Sequence, residues 1–211
     1  MATTLWLIRH GETSWNAAGR MQGHTDIPLN ETGLEQAALL GQRLIAENER
    51  QPFTAFWVSD LGRAQQTAQP ASGALGQPMH LDPELRERNY GVLEGLTRAE
   101  IAVEHPDASA AIKARDVDFQ IPEGESINQF AHRVDTVLRR IAGQYPDGNL
   151  VVVAHGGVLD IAYRLAMGQS YEVPRDHLLL NASINRIAFD GEKFSMIDWG
   201  DVSHLDPGIL E

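Results

Sequence analysis

The chain has 211 residues, 43% hydrophobic and 22% charged, with no cysteine. That usage is ordinary for a globular domain and excludes disorder, collagen, coiled coil, disulfide scaffolds and thiolate chemistry. The 17 Lys and Arg stand against 29 Asp and Glu for a net charge of −12, the opposite of a nucleic-acid coat or a binder of anionic membranes.

In chain order, residues 5–8 read as a buried strand that stops at Arg9-His10-Gly11-Glu12. Gly19, Gly23, Pro28 and Asn30 punctuate a loop. A helix follows, capped by Asn30 or by the Thr32-Gly-Leu-Glu35 capping box. Its apolar face is Leu34, Ala37, Ala38, Gly41, Leu44 and Ile45. Residues 55–58 form a second strand, after which Ser59-Asp60 caps a helix through Arg63 and Thr67 that kinks or breaks at Pro70. A short strand covers 79–81, 82–96 is irregular, 97–104 forms a short helix, and 105–124 reads as a lid-like loop. From Ser126, the residues Ile127, Phe130, Ala131, Val134, Val137, Leu138 and Ile141 trace the clearest helix. Asp147-Gly148 turns into a strand at 150–154 that is cut off by His155-Gly156-Gly157. Val158, Ile161, Ala162 and Leu165 mark another helix, and 184–189 with 194–199 form a hairpin about Asp190-Gly191.

This alternation predicts an α/β fold in three layers: a mostly parallel sheet, helices on both faces, an antiparallel edge hairpin. One domain is expected over 1–211, with a lid-like insertion around 97–125. No apolar run approaches the ~20 residues that span a bilayer. The first residues, Met1 to Trp6, carry no basic n-region. A soluble, cytoplasmic protein is expected.

Ligands of such folds bind at the carboxyl ends of the strands. Three strands here end in reactive groups: Arg9-His10, Ser59-Asp60 ahead of Arg63, and His155. Guanidinium forks match phosphate oxygens. A neutral imidazole is nucleophilic, and a second one, protonated by a dianion, steadies the transition state. These groups suit phosphoryl transfer through a phosphohistidine without metal. A carboxyl group must also protonate the leaving alkoxide and then activate water, and Glu84, Glu87 and Glu94 are the candidates. A zinc site on His10 and His155 is disfavoured, since there is neither a His-Glu-x-x-His run nor a cysteine.

Several runs together resemble the histidine phosphatase superfamily, also called phosphoglycerate mutase-like. They are Leu7-Ile8-Arg9-His10-Gly11-Glu12-Thr13-Ser14-Trp15-Asn16, Gln22-Gly23-His24-Thr25, Ser59-Asp60-Leu61-Gly62-Arg63-Ala64, Leu85-Arg86-Glu87-Arg88-Asn89-Tyr90-Gly91, Pro122-Glu123-Gly124-Glu125-Ser126 and Val153-Ala154-His155-Gly156-Gly157. The resemblance spans nearly the whole chain. It implies that His10 is the phosphorylated nucleophile and that Arg9, Arg63 and His155 hold the phosphoryl group. It places the acid/base carboxylate at Glu87. Asn16 and the backbone at Gly156 would complete the phosphate pocket, and Gln22 and Gly23 would touch the rest of the substrate. His24 and His204 stand out from the remaining histidines by motif position alone.

The family holds both mutases and phosphatases. A mutase needs extra cations for a second anionic group, yet between Tyr90 and Ser126 the only bases are Arg98, Lys113 and Arg115. The chain is more similar to short bacterial members that carry a mutase name. The expectation is therefore a metal- and cofactor-independent phosphatase acting on a small-molecule phosphate ester, without nucleic-acid or membrane partners. The alternative is a mutase dependent on 2,3-bisphosphoglycerate. A non-catalytic phospho-ligand binder is disfavoured, because His10 and Glu87 are both present.

Overall fold

The dense apolar runs build the centre of a six-stranded sheet in the computed structural model, which describes residues 2–209. The strands are β1 (Thr3–Arg9), β2 (Ala55–Ser59), β3 (Met79–Asp82), β4 (Asn149–Ala154), β5 (Ile184–Phe189) and β6 (Phe194–Asp201), ordered β3-β2-β4-β1-β5-β6. The first four in that order run parallel, while β5 and β6 are antiparallel to their neighbours. The hairpin sits at the edge, as expected.

Strands buried on both faces feed two cores alternately. Leu5, Leu7, Leu150 and Val152 enter one core with Phe130, Val134, Leu138 and Val158 of α6 (Ile127–Gln144) and α7 (Gly156–Met167). Trp6, Ile8, Val151 and Val153 enter the other, against Leu40, Leu44, Ala64 and Ala68 of α2 (Glu31–Arg50) and α3 (Gly62–Leu75). The helices lie on both faces of the sheet.

Four local expectations are corrected. A single helical turn, α1 (Ser14–Ala17), stands inside the expected loop, held by a capping box between Thr13 and Asn16. Of the two caps left open for α2, Asn30 is the one used, its side chain accepting from Gly33 N at 2.8 Å, but the buried face of the helix differs from the expected one. Its buried face is Gly33, Gln36, Ala37, Leu40, Gly41 and Leu44, which leaves Leu34 51% exposed and Ala38 exposed. The rotation follows from packing on α3: a Cβ at Gly41 would lie 2.7 Å from the Pro70 ring. Neither Ser59 nor Asp60 caps α3. Its N-cap is Leu61 with no side-chain bond, and the helix runs through Pro70 unbroken. Ser59 ends β2, and Asp60 is bound by Arg86 at 2.7 and 2.6 Å. Finally, the expected helix at 97–104 is present as α4 (Arg98–Glu104), but α5 (Pro106–Ala114) occupies the expected loop. Together with Leu93 and Ile121, these two helices bury a small third cluster.

Candidate active site

Because β2, β4 and β1 are adjacent and parallel, their carboxyl ends meet on one edge. Arg9 closes β1, Ser59 closes β2, and His155 follows β4. The rings of His10 and His155 are 5.1 Å apart between centroids. Both are buried, at 3% and 0% exposure. His10 Nδ1 lies 2.7 Å from the Gly11 carbonyl. A carbonyl only accepts, so Nδ1 carries the proton and Nε2 keeps its lone pair. Burial first, then the Arg63 and Arg9 charges, hold the His10 pKa well below the ordinary value. The His10 ring is thus neutral at neutral pH.

His155 Nε2 lies 2.8 Å from Ser59 Oγ, and its Nδ1 has no hydrogen-bond partner among the described residues. Burial, then Arg63, His10 and Arg9, push its pKa down as well.

Both guanidiniums are steered by main-chain carbonyls. Arg63 is fully buried and donates to Thr25 O at 2.9 Å and to Gly23 O at 2.8 Å. Arg9 donates through Nη1 to Leu179 O. The Nε of each is buried without a partner among the described residues. Burial pushes the Arg9 pKa down to about 10, with Glu87 opposing, so the side chain stays charged. A Cβ on Gly156 would sit 3.4 Å from Arg9 Nε, which places that backbone at the same spot. Thr67 Oγ1 donates to Arg63 O at 2.7 Å and accepts from Gly11 N at 2.9 Å, joining α3 to the turn after β1.

The remaining expected site residues fall nearby. Gln22 is buried and its carboxamide oxygen accepts from Thr13 Oγ1 at 3.0 Å, while Asn16 accepts from Thr13 N and Oγ1 at 3.1 Å. Asn16 and Arg9 line a cavity of about 350 Å³. Gly23 has φ +55°, a region that favours glycine, and a Cβ there would lie 1.9 Å from Glu94 Oε1 and displace that carboxylate.

The three candidate carboxylates differ in exposure and in the elements they bind. Glu84 is exposed. Glu94 is occupied by loop amides, accepting from His24 N at 2.8 Å and Thr25 N at 2.9 Å. Glu87 lies at the start of α7, where Oε2 accepts from Gly157 N at 2.9 Å and Oε1 from Arg88 N at 2.8 Å. Its main-chain carbonyl is gripped by His24 Nε2 at 2.9 Å and Arg133 Nη2 at 3.2 Å. Arg133 also donates to Glu84 O at 2.7 Å and Arg86 O at 3.0 Å. Sequence reasoning missed the parts of Ser59, Thr67 and Arg133, each of which also binds a group at least 46 positions away in the chain. Only the motif position of His24 offered a signal.

A cavity of about 590 Å³ is lined by Tyr90, Phe130, Gly157, Asp160, Arg115 and Arg175 among others, and so adjoins Glu87 through Gly157. Burial and the Glu87 charge push the Tyr90 pKa up to about 12. Among the described residues, no group of three or more His, Asp or Glu could hold a metal ion. No helix among them is long and apolar enough to cross a membrane.

Residues 5–202 match the family model described as "Histidine phosphatase superfamily (branch 1)". The chain is 39% identical over 209 residues to "Phosphoglycerate mutase-like protein 4" of Arabidopsis thaliana, covering 97% of this chain and 88% of that protein. It is 40% identical over 212 residues to "Metal-independent phosphoserine phosphatase" of the same plant, covering 99% and 86%. The solved structure of Bacillus stearothermophilus YhfR superposes with a TM-score of 0.88 at 32% identity, covering 97% of this chain and all of that one.

Proposed function

The chain belongs to the histidine phosphatase superfamily, branch 1, and from that membership we propose that it hydrolyses small-molecule phosphate monoesters through a phosphohistidine on His10. One observation carries this reading. His10 is neutral, its Nδ1 is tied to Gly11 O, and beside it the buried Arg63 and His155 and the half-buried Arg9 carry buried Nε or Nδ1 atoms without a partner among the described residues.

In the first half-reaction His10 Nε2 forms a bond to phosphorus as the ester P–O bond breaks. Glu87 in its acid form gives its proton to the leaving oxygen. In the second, water attacks phosphorus, passes a proton to Glu87, and the N–P bond breaks to release phosphate and neutral His10. Arg9 and Arg63 supply fixed positive charge to the equatorial oxygens throughout. A phosphate dianion beside His155 raises its pKa, so binding takes up a proton and the imidazolium joins the cationic cup.

The relative named a metal-independent phosphoserine phosphatase supports hydrolysis without a metal or an organic cofactor. A small-molecule ligand, not nucleic acid, agrees with the net charge of −12, and the cysteine-free composition agrees with a cytoplasmic setting. The mutase-like name of the other relative favours a second reading on the same pocket, a mutase that retains its phosphoryl group. Offering 3-phosphoglycerate with and without 2,3-bisphosphoglycerate separates the two. Release of inorganic phosphate is expected; rapid 2-phosphoglycerate formation dependent on the bisphosphate would install the mutase instead. Glu87→Gln tests the acid role. It should slow alkyl phosphates about 10²-fold or more and p-nitrophenyl phosphate much less, whereas equal slowing would move the proton donor elsewhere.

A further inference from the structure

We infer that the cavity lined by Gly157 takes phosphomonoesters whose leaving group is long and apolar and ends in a second anionic group, which Arg115 and Arg175 receive. The inference rests on the hydrolytic reading above and deepens it.

Size comes first. The cavity measures about 590 Å³, a volume typical of sites for ligands well above three carbons. Its floor is apolar, formed by Met21, Ile101, Ile112, Phe130 and Ile161. A three-carbon acid would leave that floor wet, whereas an alkyl or aryl body covers it and gains the hydrophobic term.

Charge comes second. Five basic residues line the cavity against two acids, Asp160 and Glu172, in a chain whose net charge is −12. The bias is concentrated around Asp160. Arg115 Nη2 lies 3.5 Å from its Oδ2, and Arg175 Nε and Arg164 Nε lie 3.5 and 3.3 Å from its Oδ1. Three guanidiniums thus share one carboxylate. His177, 3.1 Å from Asp160, adds no charge at neutral pH, because burial lowers its pKa. Arg164 is fully buried and does not line the cavity, so Arg115 and Arg175 are the two of this cluster that face a ligand. Arg115 is itself held in the left-handed region at φ 53° and anchored by its Nε on Tyr171 O at 2.8 Å, a fixed rather than a swinging cation.

Reach comes third. Gly157 lines the cavity, and its N–H holds Glu87 Oε2 at 2.9 Å, so the cavity adjoins the carboxylate that serves the leaving group. One ligand can therefore join the two, with its phosphoryl group on His10 and its far anion on the arginines.

An alkyl series with nearly equal leaving groups tests this: octyl phosphate, 8-phosphooxyoctanoate and 3-phosphooxypropanoate. The expected kcat/KM for 8-phosphooxyoctanoate exceeds each of the others by about 10-fold or more, the size of one charge-assisted hydrogen bond or of a few buried methylenes. Arg175→Gln and Arg115→Gln should each lower kcat/KM for 8-phosphooxyoctanoate about 10-fold more than for octyl phosphate. A flat series, or an unchanged preference in both variants, overturns the inference while leaving hydrolysis intact. If no ester is turned over, the hydrolytic reading fails by itself. Titration calorimetry of the same three esters on the full-length protein and its Arg175→Gln variant then decides the cavity assignment: an arginine-dependent preference supports it and equal affinities contradict it.

Discussion

His10 and its neighbours show how burial, rather than any one contact, sets the chemistry. The two rings that face each other at the sheet edge are both depressed in pKa, and the sign of the consequence for stability is fixed. In the unfolded chain each histidine takes up a proton as pH falls through about 6.5. The folded rings do not, so the native state binds fewer protons and loses about 1.4 kcal/mol per pH unit per ring until the folded rings titrate. His10→Ala should flatten the fall in stability between pH 7 and 5, read from urea midpoints at each pH; an undiminished slope would contradict the assignment of a neutral, buried His10. Gly157 makes a second case. Its N–H holds Glu87 Oε2, and a Cβ there would lie 2.1 Å from Oε1. Gly157→Ala should therefore displace the carboxylate and cut alkyl phosphate turnover by about 10²-fold or more with an unchanged circular dichroism spectrum. Wild-type rates would show that Glu87 is not held from α7.

At the scale of elements, the legible parts of the sequence were those whose pattern is dictated from both sides. Strands β1 and β4 are buried on both faces, so unbroken apolar runs mark them, and the ladder of α6 was visible over its whole length. The arginines and histidines that end the strands were legible too, because polar groups abruptly follow those runs. The misses have local causes. Helix α5 has nine residues and buries only Ala108 fully, too little to print a period. Two faces of α2 carry apolar residues, and contact with Pro70 on α3 chose the one centred on Leu40. Leu40→Ala should accordingly cost about 2–5 kcal/mol, and Leu34→Ala less than about 0.5 kcal/mol, in denaturant unfolding. The reverse order would mean that α2 packs by its other face. Arg133 was illegible for a different reason. It pairs with Glu125 eight positions away, but the carbonyl oxygens it also binds lie 46 to 49 positions away, and no side-chain pattern encodes those.

For the whole molecule, parallel pairing gathers the site. Three segments widely separated in the chain end side by side because β2, β4 and β1 share one direction, and the chain carries its positive cup inside a body of net charge −12. The cations of that cup are the chain's own side chains, so incubation with EDTA should leave phosphatase activity unchanged, and a large loss would require a metal in the chemistry. The expectations for turnover depend on His10 carrying the phosphoryl group. The most direct measurement is rapid quenching of the turning-over enzyme followed by peptide mass spectrometry, with an acid-labile phosphoryl adduct expected on the peptide containing His10 and none in His10→Ala. Turnover without such an adduct, or an adduct on any other residue, would contradict the account.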